Sequence, residues 1–135
     1  MLLFTMTDCV FCKIIAGEVP CCKVAENGDF LAFLDIKPFN VGHTMVIPKS
    51  HYRWTYEVPN FGEYWEFTKK ITENIDKQLH PLSISYLTMG KQVPHAHIHI
   101  IPRYENDTLV NEFSENLRLA LTPEELMNTC AKIKL

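Results

Sequence analysis

The segment His-Ala-His-Ile-His at residues 95–99, continuing Ile-Ile-Pro, constrains the fold of this chain more than any other. Its strict alternation has the period of a strand. His95, His97 and His99 fall on one face, at intervals of about 6.5–7 Å, and Ala96, Ile98 and Ile100 fall on the other. The pattern predicts a strand over His95–Ile101, closed by Pro102, with an apolar face for a helix to cover. A row of imidazoles has two chemical uses. It can bind a metal, or it can supply a nucleophile with neighbours that handle protons. Chance clustering of surface histidines is the bland alternative.

The rest of the chain suits a sheet around that strand. Cys22–Glu26 and Phe30–Asp35 read as strands joined by the turn signal Asn27-Gly28-Asp29. His43–Pro48 reads as a third, antiparallel to the second, and Ser83–Thr88 as a fourth. Asp8 is an expected cap for a short helix from Cys9 to Ala16, ended by Gly17. From Asn60 to His80, Phe61, Tyr64, Trp65, Thr68, Ile71, Ile75 and Leu79 recur at helical spacing, and Pro81 stops the run. Thr122-Pro123-Glu124-Glu125 is a helix start with a cap, a first-turn proline and a capping-box partner. The order of elements predicts an α+β fold, an antiparallel sheet of about five strands with one long helix across it.

Composition narrows the function classes. Of the 135 residues 47% are hydrophobic and 21% charged, which suits one packed domain. The net charge of −3 and the lack of a basic run argue against nucleic acid as a partner. No apolar run is long enough for a membrane span. Residues 1–8 read as a tail rather than a signal peptide. Five cysteines, an odd number, suit a reducing, cytoplasmic setting.

Four stretches taken together resemble the histidine-triad (HIT) family. They are Cys-Val-Phe-Cys-Lys-Ile-Ile-Ala-Gly-Glu-Val-Pro at 9–20, Phe-Leu-Ala-Phe-Leu-Asp-Ile-Lys-Pro at 30–38, Gly-His-Thr-Met-Val-Ile-Pro-Lys-Ser-His at 42–51, and Val-Pro-His-Ala-His-Ile-His-Ile-Ile-Pro-Arg at 93–103. The resemblance places a HIT domain at 9–104 and leaves 105–135 as a C-terminal extension with a short helix. It implies a nucleotide phosphoramidate or phosphoanhydride hydrolase, or nucleotidyl transferase, working through a covalent nucleotidyl-histidine on His97. His99 would assist at the phosphoryl oxygens or the leaving group, and His43 would stand beside the triad. Asp35 would accept the ribose hydroxyls of a nucleotide, with purine the expected base. Val10, Phe11, Ile14, Phe33 and Ile36 would wall that base. Ahead of the triad the chain departs from the family pattern. The run is shortened, and Lys91 and Gln92 fall where other polar residues usually meet phosphate.

The resemblance also implies a homodimer with a continuous sheet and a structural zinc on Cys9, Cys12, His51 and His95. Two cysteines and two histidines suit tetrahedral zinc, and four protein ligands close the site. A free or redox-active thiol pair is the competing reading of Cys-x-x-C. Two other functions stay open at this point. One is a non-catalytic purine-nucleotide-binding regulatory protein. The other is a metalloenzyme with His95, His97 and His99 on one ion, although alternate residues of one flat strand converge poorly on a single metal.

Overall fold

In the computed structural model, which describes residues 8–109 and 113–135, five strands form one antiparallel sheet. They are β1 (Lys23–Glu26), β2 (Phe30–Leu34), β3 (Thr44–Pro48), β4 (Ser83–Leu87) and β5 (Ile98–Arg103), in the order β1-β2-β3-β5-β4. The expected α+β architecture is therefore present. Residues 1–7 of the expected tail lie outside the described residues. The turn signal closes the first hairpin as its chemistry dictates. The Asn27 side-chain oxygen accepts the N–H groups of Asp29 and Phe30 at 2.9 and 2.8 Å.

Alternation divides the sheet into two faces. Phe30, Ala32, Leu34, Val46, Ala96, Ile98 and Ile100 share one core cluster with Tyr64, Ile71 and Ile75 of the long helix α2 (Phe61–Leu79). Each Val, Leu, Ile or Phe side chain among them stabilises the fold by about 1.5–3 kcal/mol when fully buried. The Tyr64 hydroxyl donates to the Val46 carbonyl at 2.6 Å and pins the helix across β3. Phe67 joins the buried stripe, whereas Phe61, expected on it, is exposed. His80 ends α2 in a left-handed conformation just before Pro81. The opposite face packs Leu31, Phe33, Met45 and Ile47 against Cys9 and Phe11, which flank and belong to the short helix α1 (Val10–Ile15).

Two expected boundaries are corrected. Cys9 caps α1, not Asp8, because its Sγ accepts the Cys12 N–H at 3.4 Å. The triad strand begins at Ile98 and runs through Pro102. The Pro102 carbonyl accepts from the Asn40 side chain, away from β4. In an antiparallel ladder N–H and C=O point to the same side, so the missing proline N–H faces a side that β3 has already left.

The C-terminal segment is built into the same body. Helix α3 (Pro123–Ile133) starts where the cap signal placed it, with Thr122 Oγ1 accepting the Glu125 N–H at 3.1 Å. Leu126, Cys130 and Ile133 join the core on α2. The Leu135 N–H donates to the Val24 carbonyl of β1 at 2.8 Å. Leu109 packs on Phe39 and Ile101.

Asp107 organises the entry to this segment. Its carboxylate accepts from Arg103 Nε (2.9 Å), Arg103 Nη2 (3.1 Å), Asn40 Nδ2 (3.0 Å) and the N–H groups of Tyr104 and Leu109. The Arg103 bonds, with the further donors, hold its acid constant far below the usual carboxylate range. A depressed folded value stabilises the protein above the unfolded value of about 3.9, and that stabilisation fades as pH falls below it. Asp107→Asn is expected to cost about 1.5–3 kcal/mol at pH 7. Urea unfolding should show a smaller gap between variant and parent at pH 2 than at pH 7, because the stabilisation is lost only as pH falls toward the depressed folded value. An equal gap at both pH values would contradict this ionic role.

Candidate active site

A cavity of about 500 Å³ opens on the α1 side of the sheet, with His97 and His99 on its floor. The sheet register explains the floor. Phe33, Met45, His99 and Leu87 are successive cross-strand partners, which puts one side chain from each strand in a row. The His97 and His99 rings lie 4.8 Å apart, and Phe11 meets the His97 ring edge-on at 5.2 Å.

The backbone decides which imidazole nitrogens carry protons. His97 Nδ1 lies 2.8 Å from the His95 carbonyl, which can only accept. Nδ1 is therefore the N–H of a neutral ring, and Nε2 keeps its lone pair. The Phe39 N–H points at His43 Nδ1 (3.0 Å), so His43 carries its proton on Nε2 and donates to His99 Nδ1 at 2.8 Å. The remaining proton of His99 then sits on Nε2. The pair of rings lining the cavity thus combines a bare nitrogen on His97 with a donor on His99. Burial, more than any neighbour, lowers the acid constants of these rings. His97 is held below its usual value, with the His95 carbonyl and Asp35 opposing burial and the Arg53 charge adding to it. His99 is pushed down to about 3 by burial, with His97 and Arg118 adding to it, and His43 well below the usual range. The 3.7 Å approach of His43 Nε2 to Asp35 is consequently no ion pair at neutral pH.

Asp35 follows the end of β2 and lines the cavity. One carboxylate oxygen accepts the Lys37 N–H at 2.9 Å, and the other accepts Arg118 Nη1 at 3.1 Å. Burial raises its acid constant against both of these contacts. Arg118 also bonds the Lys37 carbonyl and Glu115, and its guanidinium lies 4.2 Å over the Phe39 ring.

Of the other residues singled out in the sequence, Phe11, Ile36, Lys91 and Gln92 line the cavity. Val10 and Ile14 stand outside the lining. Phe33 is buried beneath Phe11, with ring centroids 5.6 Å apart. His43 is fully buried behind His99. Sequence reasoning missed Met45, Phe113, Glu115 and Arg118 in the lining. Met45 was accessible from strand register, as the residue opposite Phe33. No local pattern marks Arg118.

A second cluster joins Cys9, Cys12, His51 and His95, whose ligand atoms all lie within 4.8 Å of one another. His95 Nδ1 is 3.4 and 3.5 Å from the sulfurs of Cys9 and Cys12 and 3.1 Å from His51 Nδ1, which is 3.2 Å from Cys12. His95 Nε2 donates to the Pro48 carbonyl at 2.8 Å, which leaves Nδ1 bare toward the sulfurs. A zinc tetrahedron with ordinary bond lengths has edges of about 3.3–3.8 Å, and these four separations of 3.1–3.5 Å approach that spacing. Without a metal, burial and Cys9 push the Cys12 thiol up to about 12, the reverse of a redox-active thiolate. His95 thus turns away from the cavity that His97 and His99 share, and the three imidazoles do not converge on one point.

The comparisons with known proteins agree with this geometry. The HIT domain family matches residues 16–106. The adenosine 5'-monophosphoramidase hnt1 of Schizosaccharomyces pombe is 39% identical, over 71% of this chain and 74% of its own length. The adenylylsulfatase HINT3 of Arabidopsis thaliana is 41% identical, over 82% of this chain and 59% of its own length. Among solved structures, a Hit-like protein of Bartonella henselae superposes with a TM-score of 0.80 at 28% identity, covering 98% of each chain. A zinc-bound histidine triad family protein of Mycobacterium smegmatis superposes with a TM-score of 0.72 at 27% identity, covering 95% of this chain and 96% of that one. Sheet order, triad position and the extent of these matches lead to one conclusion: this chain belongs to the HIT family.

Proposed function

We propose that this protein is a nucleotide hydrolase that cleaves a phosphoramidate or phosphoanhydride bond through a nucleotidyl-histidine on His97. The observation that carries the reading is the fixed tautomer of His97, whose bare Nε2 belongs to a cavity-lining ring. In the first displacement this nitrogen bonds the α-phosphorus, and the bond to the leaving group breaks. In the second, water bonds phosphorus and the electron pair returns to His97. Two moderate barriers replace one high one. His99, with Nε2–H held outward by the relay from Phe39 through His43, donates to a phosphoryl oxygen or to the departing atom. The low acid constants keep both rings neutral at pH 7. Release of product from an adenosine phosphoramidate, set against AMP binding alone, tests the reading. Binding without turnover would favour the regulatory nucleotide-binding alternative.

Zinc on Cys9, Cys12, His51 and His95 would play a structural part, tying the start of α1 to the triad stretch and so orienting His97. A homodimer would pair the exposed edge strand β4 with its copy. Five free cysteines suit a reducing compartment such as the cytoplasm. The partner is a small nucleotide, a purine in this reading. Among the described residues no helix is long and apolar enough to cross a membrane.

Asp35 reads the ribose in this scheme, with hydroxyls sharing or displacing the Arg118 contact. Two charge-assisted hydrogen bonds of about 1.5–3 kcal/mol each are at stake. Asp35→Asn is expected to weaken AMP at least tenfold and 2',3'-dideoxy-AMP much less, as read by calorimetry. Equal weakening of both would take Asp35 out of this role.

A further inference from the structure

One wall of the main cavity comes from beyond the residues that match the HIT domain. Phe113, Glu115 and Arg118 line it, on the same side as Asp35 and Lys37. This C-terminal wall is fastened to the loop after β2. The Leu119 N–H donates to the Pro38 carbonyl at 2.7 Å, and Phe113 meets Phe39 edge-on at 5.4 Å. Arg118 is fixed on three sides. Its Nε and Nη2 donate to the Glu115 carboxylate at 2.7 and 3.3 Å, and Nη1 donates to the Lys37 carbonyl at 2.7 Å. The guanidinium also lies 4.2 Å from the centre of the Phe39 ring, and only 14% of the side chain is exposed. A guanidinium held in this way is in place before any ligand arrives and has little side-chain entropy left to lose.

The contact between Arg118 and Asp35 leaves both partners with capacity to spare. A guanidinium has five N–H donors, and a carboxylate accepts at about four positions. Nη1 gives one N–H to Lys37 and one to Asp35 Oδ2, at 3.1 Å. Nε and one N–H of Nη2 go to Glu115. Among the described residues no acceptor meets the other N–H of Nη2. In a planar guanidinium that N–H lies on the edge shared with Nη1, away from the fork that holds Glu115. On Asp35, Oδ1 accepts the Lys37 N–H at 2.9 Å and Oδ2 accepts Arg118, so each oxygen keeps a further lone pair. The cavity thus offers, side by side, two carboxylate acceptors and one fixed cationic donor. A hydroxyl uses both, because it donates its hydrogen and accepts through its oxygen. A methylene uses neither.

We propose that Arg118 is a second ribose-reading residue. It donates to a ribose hydroxyl while that hydroxyl donates to Asp35, and so makes the site select ribonucleotides over their deoxy counterparts. This rests on the nucleotide reading above and adds to it a residue from the C-terminal extension. The ribose shares Asp35 with Arg118 and does not displace it. A nucleotide that lacks the hydroxyl leaves a charged N–H without its acceptor, which is how a polar site rejects an analogue missing one group.

Calorimetry on the full chain tests this with AMP, 2'-deoxy-AMP, 3'-deoxy-AMP and 2',3'-dideoxy-AMP. Arg118→Ala should weaken AMP about tenfold and the dideoxy nucleotide less than about twofold. The monodeoxy nucleotide that the substitution leaves unweakened names the hydroxyl Arg118 reads. Arg118→Lys should restore part of the loss, since it keeps the charge and gives up the fork. In turnover the loss should fall on KM, with kcat within a few-fold of the parent. Should Arg118→Ala fail to fold, Arg118→Met keeps the stem and carries the same expectation. Equal weakening of AMP and the dideoxy nucleotide would make Arg118 a prop for the wall, and tighter AMP would make it a plug over Asp35. Either result overturns the proposal. Should wild type bind AMP and turn over no substrate, the hydrolase reading falls while the binding ratios still decide this one. Wild type that binds none of the four nucleotides overturns both.

Discussion

Replacing His97 with alanine is expected to cut turnover by about 10³-fold or more while leaving nucleotide affinity within a few-fold of the parent. Removing a nucleophile abolishes the covalent route and leaves only what positioning and electrostatics can do for direct water attack. Affinity survives because the groups assigned to the nucleoside, Phe11, Asp35 and Ile36, come from α1 and the loop after β2, not from the triad stretch. The loss should therefore fall on kcat. Rapid-quench mass spectrometry of wild type should show one nucleotidyl group on the peptide that contains His97. His99→Ala should still form that adduct, more slowly, because its donor acts on the transition state and not on the bond to His97. Wild type that turns over with no adduct in a single turnover would sink the covalent mechanism and leave direct hydrolysis.

Chelation of zinc should have the largest effect on stability. Structural zinc binds its peptides with apparent free energies of about 10–16 kcal/mol, and part of that is folding free energy. A melting temperature lower by about 10 °C or more is expected after metal removal, given the usual shift of a few degrees per kcal/mol. Elemental analysis of protein purified without chelator should give about one zinc per chain for a closed four-ligand site. Cys9→Ser, Cys12→Ser, His51→Ala and His95→Ala should each lower that ratio, and His99→Ala should not. The assignment fails if metal-free wild type keeps its melting temperature and activity.

The parts of the fold that could be read from the sequence are those set by local chemistry. Thr122 caps α3 because its hydroxyl reaches the Glu125 N–H three residues on, and that motif is visible in four letters. The strands β2 and β3, the Asn27 turn and the stop at Pro81 are local in the same way. The triad was legible as an alternation, yet His95 departs from the strand because it turns to Cys9 and Cys12, which lie far away in sequence. Proline at 102 reads as a strand end until one knows that β3 has already left that side. The Arg118 contact with Asp35 spans 83 residues, and nothing near either residue announces it. Arg53 shows the same limit, since a buried Nη1 without a hydrogen-bond partner is a property of the assembled fold and not of any segment.

The way the C-terminal segment closes the fold has a consequence for synthesis. The α2 stripe that meets Leu126, Cys130 and Ile133, and the β1 carbonyls of Lys23 and Val24, find their partners only in the last stretch of this sequence. A nascent chain emerging from the ribosome can complete the hairpin of β2 and β3 early. It must then hold an open apolar seam until α3 is clear of the exit tunnel. Such exposed seams are where growing chains associate wrongly. The vectorial order of translation thus leaves the β1 edge of this sheet unsealed until α3 has emerged, well after β2 and β3 can pair.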